Sequence, residues 1–270
     1  MKKILAMTLA LMMRLGTMVC FASCSGDSDW EYVKGNKKLI IGITLYDPMN
    51  YYDDKDPDKL VGFDTEFAEA VCAKLGVEPE FKVINWNTKE TELKAKNIDA
   101  IWNGLTVTEE RRENMDFSTS YLINRQCVVI HKDDAAKYTS AESLKDALLS
   151  AESGSAGETA IKADANLKNA TYNASDSQQN AFVALLADNV DAIVVDYTMA
   201  KATCGNGDYA DFVMVEGIEL AKEEYAIGFR VGSDMTEKVN AIIDELIEDG
   251  TLKKIAEKYD MVELYEEAIK

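Results

Sequence analysis

The stretch Asn97-Ile98-Asp99-Ala100-Ile101 returns almost unchanged as Asn189-Val190-Asp191-Ala192-Ile193. Each copy follows a short amphipathic helix, ending in Leu93-Lys94-Ala95-Lys96 or Leu185-Leu186-Ala187-Asp188. One helix-to-strand unit is therefore used twice. A buried parallel strand delivers the residues after it to the carboxyl edge of its sheet. The copies should thus project Trp102-Asn103-Gly104 and Val194-Val195-Asp196 at equivalent edges of two sheets, with a cleft between two α/β lobes.

Upstream of the first copy, residues 38–45 form an apolar strand, followed by a loop at 46–58 rich in aromatics and acids. Asp64 is placed to cap a helix reaching Leu75, with Phe67, Val71 and Leu75 on one face and Gly76 as its stop. A strand at 80–84 and a helix opened by Asn87 and Glu90 then lead to the first copy, giving a Rossmann-like βαβαβ order. Thr108 starts a short helix, and residues 125–131 form a strand leaving this lobe. Thr139 and Glu142 have capping-box spacing. Residues 147–152 fit helix or strand; strand is preferred because Gly154-Ser155-Ala156-Gly157 before Glu158-Thr159-Ala160-Ile161 reads as a strand-to-helix turn. A helix at 177–187 precedes the second copy. Strands at 211–215 and 224–230 come next, the latter returning to lobe 1, and helices at 234–249 and 252–258 cover its sheet. Crossings at 124–126 and 219–222 make a two-segment hinge. Lobe 1 is expected to comprise 37–124 and 223–270, and lobe 2 residues 125–222.

A chain of 270 residues with 47% hydrophobic content exceeds one compact core and suits two domains. Lys2 and Lys3, an apolar run at 4–13 and small residues Ala22-Ser23 before Cys24 read as an export signal, 1–23. The run is far short of the roughly 20 residues that span a bilayer. Net charge is −19, and losing Lys2, Lys3 and Arg14 with the leader makes it more negative, which excludes nucleic acid and anionic headgroups as partners. Asp53-Asp54-Lys55-Asp56 and Glu263, Glu266 and Glu267 read as solvated surface. Cys72, Cys127 and Cys204 are odd in number and widely spaced, so neither a disulfide framework nor a metal site is expected, and no cofactor motif occurs. Residues 24–36, polar with two glycines, read as a tether.

Gly62-Phe63-Asp64, both Asn-x-Asp-Ala-Ile copies, Thr106-Val107-Thr108-Glu109-Glu110-Arg111, Asp116-Phe117-Ser118 with Tyr121, Gly154-Ser155 and Asp191-Ala192-Ile193-Val194-Val195-Asp196 together resemble family 3 of the extracellular solute-binding proteins, over about residues 38–259. These are amino-acid receptors of ABC importers. Trp102-Asn103-Gly104 and Asn124-Arg125-Gln126 are similar to the branch common in Gram-positive bacteria. The resemblance implies a periplasmic binding protein-like fold of type II and a monomer that hands a free amino acid to a membrane permease. Phe21-Ala22-Ser23-Cys24 resembles a lipobox, which implies lipid on Cys24 and anchoring on the outer face of the cytoplasmic membrane.

The resemblance also implies roles. Arg111 would hold the ligand's α-carboxylate through its two-pronged, always-charged guanidinium, helped by backbone amides of Thr106, Ser155 and Ala156 at a helix start. Asp196, the Gly104 carbonyl and the Thr106 hydroxyl would take the ammonium. Tyr46 and Trp86 would sandwich the aliphatic part, with Asn103, Met49 and Trp102 as further pocket residues. Read alone, Arg111 pairs with Glu110 or Asp116 on a surface, Gly154-Ser155 is a tight turn, and Asp196 caps the next helix. Relatives that bind basic amino acids often carry an acid just before the Tyr46 position, where this chain has Ile43-Thr44-Leu45, so a neutral or polar L-amino acid is expected.

An enzyme of the same fold, such as a prephenate-type dehydratase or a cell-wall lyase, is the main rival, and a receptor-kinase sensor module the second. Acid–base chemistry needs a poised carboxylate or histidine in the cleft. The single histidine, His131, lies beyond an apolar strand and reads as structural, and no nucleophile set appears, so no catalysis is expected.

Overall fold

The computed structural model describes residues 28–270 apart from 219 and 221; the leader and Cys24 lie outside the described residues. Two sheets, each flanked by helices, build the two lobes. In lobe 1 the strands are β1 (Lys38–Ile43), β4 (Glu78–Val83), β5 (Ala100–Ile101), β6 (Asp116–Phe117) and β13 (Gly228–Phe229), in the order β4-β1-β5-β13-β6. β1 runs parallel to β4 and β5, and β13 antiparallel to β5 and β6. Leu39, Ile41 and Ile43 of β1 are buried on one face and Gly42 on the other, as in a central strand covered on both faces. Helix α2 (Phe63–Leu75) lays Phe63, Phe67, Val71 and Cys72 on that sheet and ends at Gly76.

Lobe 2 has the order β11-β7-β10-β8-β9, from β7 (Leu122–His131), β8 (Leu148–Glu152), β9 (Thr171–Ser175), β10 (Ala192–Asp196) and β11 (Phe212–Met214). Residues 147–152 are thus strand, and the helix after the glycine-serine loop is α5 (Ala156–Ala163), capped by Ser155. Helix α6 (Gln178–Leu186), capped by Ser177, leads to β10, and α7 (Tyr197–Thr203) follows it.

The repeated motif is structurally the same in both lobes. Asp99 donates its amide to the Ile40 carbonyl at 2.7 Å and accepts the Ile40 amide on its carboxylate at 3.1 Å. Asp191 does the same with Leu148, at 2.8 and 2.7 Å. Each aspartate thereby staples the strand beside it. Lys96 and Asp188 adopt left-handed backbone before each copy, with φ of 60° and 53°.

The return segment at 224–230 is two strands rather than one. β12 (Lys222–Tyr225) pairs antiparallel with the start of β7, Lys222 opposite Arg125 and Tyr225 opposite Leu122, and β13 then joins the lobe 1 sheet. The chain changes sheets at Ala226-Ile227, so a continuous apolar run hides a break. The two crossing segments therefore form an antiparallel ribbon.

Other departures have local causes. The expected loop at 46–58 contains a hairpin of β2 (Tyr51–Asp53) and β3 (Asp56–Val61). Asp64 does not cap α2; Gly62 does, and Asp64 turns inward. Asn85 caps a short 3-10 turn, Trp86–Thr88, before α3 (Lys89–Lys94), and the box of the 3-10 turn Ala141–Leu144 uses Ser140 and Ser143. Part of the expected tether is helix α1 (Asp29–Asn36), held because Val33 is buried and the Asp29 carboxylate meets Arg230 at 2.9 Å. The acidic C-terminal tail is helix α10 (Val262–Ala268), which comes after α8 (Met235–Glu248) and α9 (Thr251–Lys258) and buries Tyr265. Among the described residues no helix is long and apolar enough to cross a membrane, and no cluster of metal-ligating side chains occurs.

Candidate functional site

The two carboxyl edges meet around a small, tightly closed cavity lined by Tyr46, Trp86, Asn103, Gly104, Thr106, Arg111, Glu152, Ser155, Ala156, Gln178 and Asp196. Nine of the expected site residues are therefore brought together. Met49 and Trp102 are not in the lining; both are fully buried in the core behind it, where Trp102 packs edge-on to Phe67 at 4.9 Å.

Asp196 ends β10 and is buried. One of its oxygens accepts from Asn124 at 2.9 Å and Gln126 at 2.6 Å, both on the ribbon strand β7; the other accepts from Gln178. Removal from water pushes its pKa above the ordinary carboxylate range against the pull of these amides. The same Asn124 and Gln126 side chains also donate to Glu223 of β12, each at 3.1 Å. Burial, then the neighbouring Asp196 charge, raises Glu223 to about 7. The Thr106 hydroxyl gives its proton to Glu223 at 3.0 Å, which leaves its lone pairs free to accept from a cation in the cavity.

Gly104 occupies the place in the first repeat that Asp196 holds in the second. Its φ is +55°, and a Cβ there would lie 2.1 Å from the Tyr46 hydroxyl, so the aromatic wall and the left-handed turn both demand glycine. Its amide is held by Asp64 at 2.7 Å, which also accepts the Tyr121 hydroxyl at 3.0 Å; burial raises Asp64 to about 7.

Arg111 lies in the short helix α4 (Glu109–Arg112), where the Thr108 hydroxyl caps its amide at 3.1 Å. Its guanidinium does not pair with Glu110 or Asp116. It donates to the Thr106 carbonyl at 2.7 Å and, across the cleft, to the Gly154 carbonyl at 3.1 Å. Lys89 reaches the same Gly154 carbonyl at 3.1 Å. A Cβ at Gly154 would sit 3.2 Å from the Asn87 Cα, so the lobes are in contact here and the cleft is shut. Burial, then Arg111, lowers Lys89 to about 7. Ser155 uses its hydroxyl to cap Glu158 and its amide to bind the Glu152 carbonyl at 3.2 Å.

Trp86 is a buried wall with the Lys89 ammonium 4.8 Å above its ring. Asn103 serves chiefly as a staple, with both amide atoms engaged by Thr44 and its nitrogen also donating to Asn50 at 2.6 Å. His131 stands away from the cavity, 3.1 Å from the Leu185 carbonyl and edge-on to Phe212. The sequence reading missed Glu152, Gln178, Glu223 and Lys89 at or just behind the wall. Glu152 was within reach of the repeat pattern, because it ends the strand stapled by the second aspartate.

The chain matches the model of the bacterial extracellular solute-binding proteins, family 3, over residues 39–262. It is similar to the arginine-binding extracellular protein ArtP of Bacillus subtilis, with 29% identity over 264 residues, 96% of this chain and 98% of the relative. Among solved structures it resembles an ABC uptake transporter substrate-binding protein from Streptococcus pneumoniae with bound histidine, at a TM-score of 0.77, 29% identity, and coverage of 87% and 97%. It also resembles an ancestral amino acid-binding protein described as a precursor of cyclohexadienyl dehydratase, at a TM-score of 0.78, 26% identity, and coverage of 86% and 99%. The chain belongs to family 3 of the bacterial extracellular solute-binding proteins.

Proposed function

We propose that this protein captures a free L-amino acid by closing its lobes, 37–124 with 223–270 against 125–222, and delivers it to an ABC permease without chemical change. In this reading the protein is a lipoprotein, held on the outer face of the cytoplasmic membrane through Cys24 and acting as a monomer. The α-carboxylate takes Arg111 in place of the two carbonyls that now hold it, with the Thr106 and Ala156 amides alongside. The ammonium lies against Asp196, the Gly104 carbonyl and the Thr106 hydroxyl, and the side chain between Tyr46 and Trp86. One observation carries this: a guanidinium from lobe 1 and a carboxylate from lobe 2 line one small closed cavity.

A zwitterion entering that space loses its hydration and must recover it from fixed partners, since a buried charge left unpaired is costly. That selects the amino-acid backbone, and the remaining walls select a polar side chain. Stabilisation by a ligand that prefers the folded form raises the melting temperature. A thermal-shift panel of amino acids, sugars and small peptides should therefore respond to amino acids. Arg111→Ala and Asp196→Ala should each lose the response while keeping the melting transition of the unliganded protein. Normal binding by both variants would refute the assignment. The likeness to a dehydratase precursor keeps an enzymatic reading in view; recovery of the amino acid unchanged after prolonged incubation separates the two.

A further inference from the structure

One carboxylate in the cavity has no task in backbone recognition. Glu152 is 2% exposed and lines the cavity, and its Oε1 has no hydrogen-bond partner among the described residues. A buried acceptor left unsatisfied costs free energy, which a ligand donor would recover. Its place in the fold is specific. β1 pairs with β5 through Ile41 opposite Ala100, and β8 pairs with β10 through Leu149 opposite Ala192. Superposing the repeats on those registers puts Glu152 in lobe 2 at the position of Thr44 in lobe 1. Thr44 is occupied by Asn103, whereas Glu152 faces the cavity.

The charges around the site point to what Glu152 meets. Among the described residues four acids, Glu152, Asp196, Glu223 and Asp64, stand at or just behind the wall, against two bases, Arg111 and Lys89. Lys89 spends its donors on the Trp86 and Gly154 carbonyls rather than on Glu152. A zwitterion adds no net charge, so it leaves the excess of carboxyl groups over bases in place. A ligand with a further positive charge offsets part of it, and a side-chain carboxylate is repelled.

Resting on the reading of the site as an amino-acid receptor, we infer that Glu152 receives the side chain of the bound amino acid and that this side chain is a cation. The lobe 2 strand thus supplies the acid that the lobe 1 strand lacks, and the expectation of a neutral ligand drawn from Ile43-Thr44-Leu45 gives way. Gln178 and the rings of Tyr46 and Trp86 complete the surroundings.

Calorimetric titration of the exported chain with matched pairs tests this: L-arginine against L-citrulline, and L-lysine against L-norleucine. At least one cation should bind about tenfold or more tighter than its uncharged isostere, the scale of a desolvated charge contact. Glu152→Gln should bring that ratio close to one. A ratio near one in the native protein overturns the inference. So does a high ratio that survives Glu152→Gln, which would assign the selection to another acid. If Glu152→Gln fails to fold, the native ratios decide alone. Failure of the native protein to bind any amino acid is a different result and removes the receptor reading itself.

Discussion

Asp99 and Asp191 do the same work on the backbone and stand in opposite surroundings. Asp99 is 2% exposed and meets Arg230 at 3.1 Å, and Arg230 also binds Asp29 at 2.9 Å and the Ile98 carbonyl at 2.7 Å. Asp191 is 40% exposed and only approaches Lys137, at 3.8 Å. The backbone staple is thus a property of the motif, and the buried charge knot is a property of lobe 1, where α1 closes over the sheet edge. The edges beyond the staples also diverge. The first strand stops after two residues and turns at Gly104, which has no side chain; the second runs on to Asp196 and ends in a carboxylate.

Alanine at the two aspartates should separate these roles most sharply. Asp99→Ala leaves Arg230 buried beside a lost partner and should cost about 3–5 kcal/mol, on the scale of broken buried ion pairs. Asp191→Ala removes one charge-assisted hydrogen bond and should cost roughly 1–2 kcal/mol. Denaturant melts of both variants measure the gap; equal losses would mean that the motif, not its setting, carries the energy. Gly104→Ala comes next, with a destabilisation of about 1–3 kcal/mol from its left-handed backbone and the Tyr46 hydroxyl. It should also weaken amino-acid binding in calorimetry, and unaltered affinity would dissociate the first edge from the site.

The acids of the second edge and the ribbon give a smaller, pH-dependent contrast. Burial raises Glu152 to about 8 and Glu223 to about 7, from 4.5. A carboxyl whose pKa rises in the shut form favours that form below its ordinary value and loses this contribution as pH climbs through the raised one. Lys89, lowered to about 7, has the opposite shift for a base: its penalty accumulates as pH falls from about 10 to 7 and is constant below. Between about pH 5 and 7 the acids therefore set the slope. The radius of gyration of amino-acid-free protein should grow across that window in X-ray scattering, and a constant or shrinking radius would contradict it. Smallest of all, Lys137→Ala should leave the melting temperature unchanged, because its pairing with Asp191 is solvated.

The repeat made the two sheets and their facing edges legible, since a motif of five residues fixes both a strand and the edge it runs to. Short strands such as Asp116–Phe117, the charged hairpin at 51–61 and the helices at either end of the described chain were not legible, because they owe their form to contacts with distant partners such as Arg230. Arg111, Asp196, Tyr46 and Trp86 were readable from motif resemblance. Glu223 was not, since an acid inside an ordinary strand looks like surface until its neighbours are placed. The core residues Met49 and Trp102 erred the other way: proximity in sequence to the edge did not bring them to the cavity.

The Gly154 carbonyl, reached by Arg111 and Lys89 from the opposite lobe, joins the halves through bonds that involve no solute atom. Part of the drive to shut is therefore indifferent to cargo. Any solute that takes Arg111 must compete with Gly154 for it, so entry would trade one clasp for another while Lys89 keeps the original fastening. Reopening then requires that a lysine leave a carbonyl, a step whose difficulty is the same whatever solute is held.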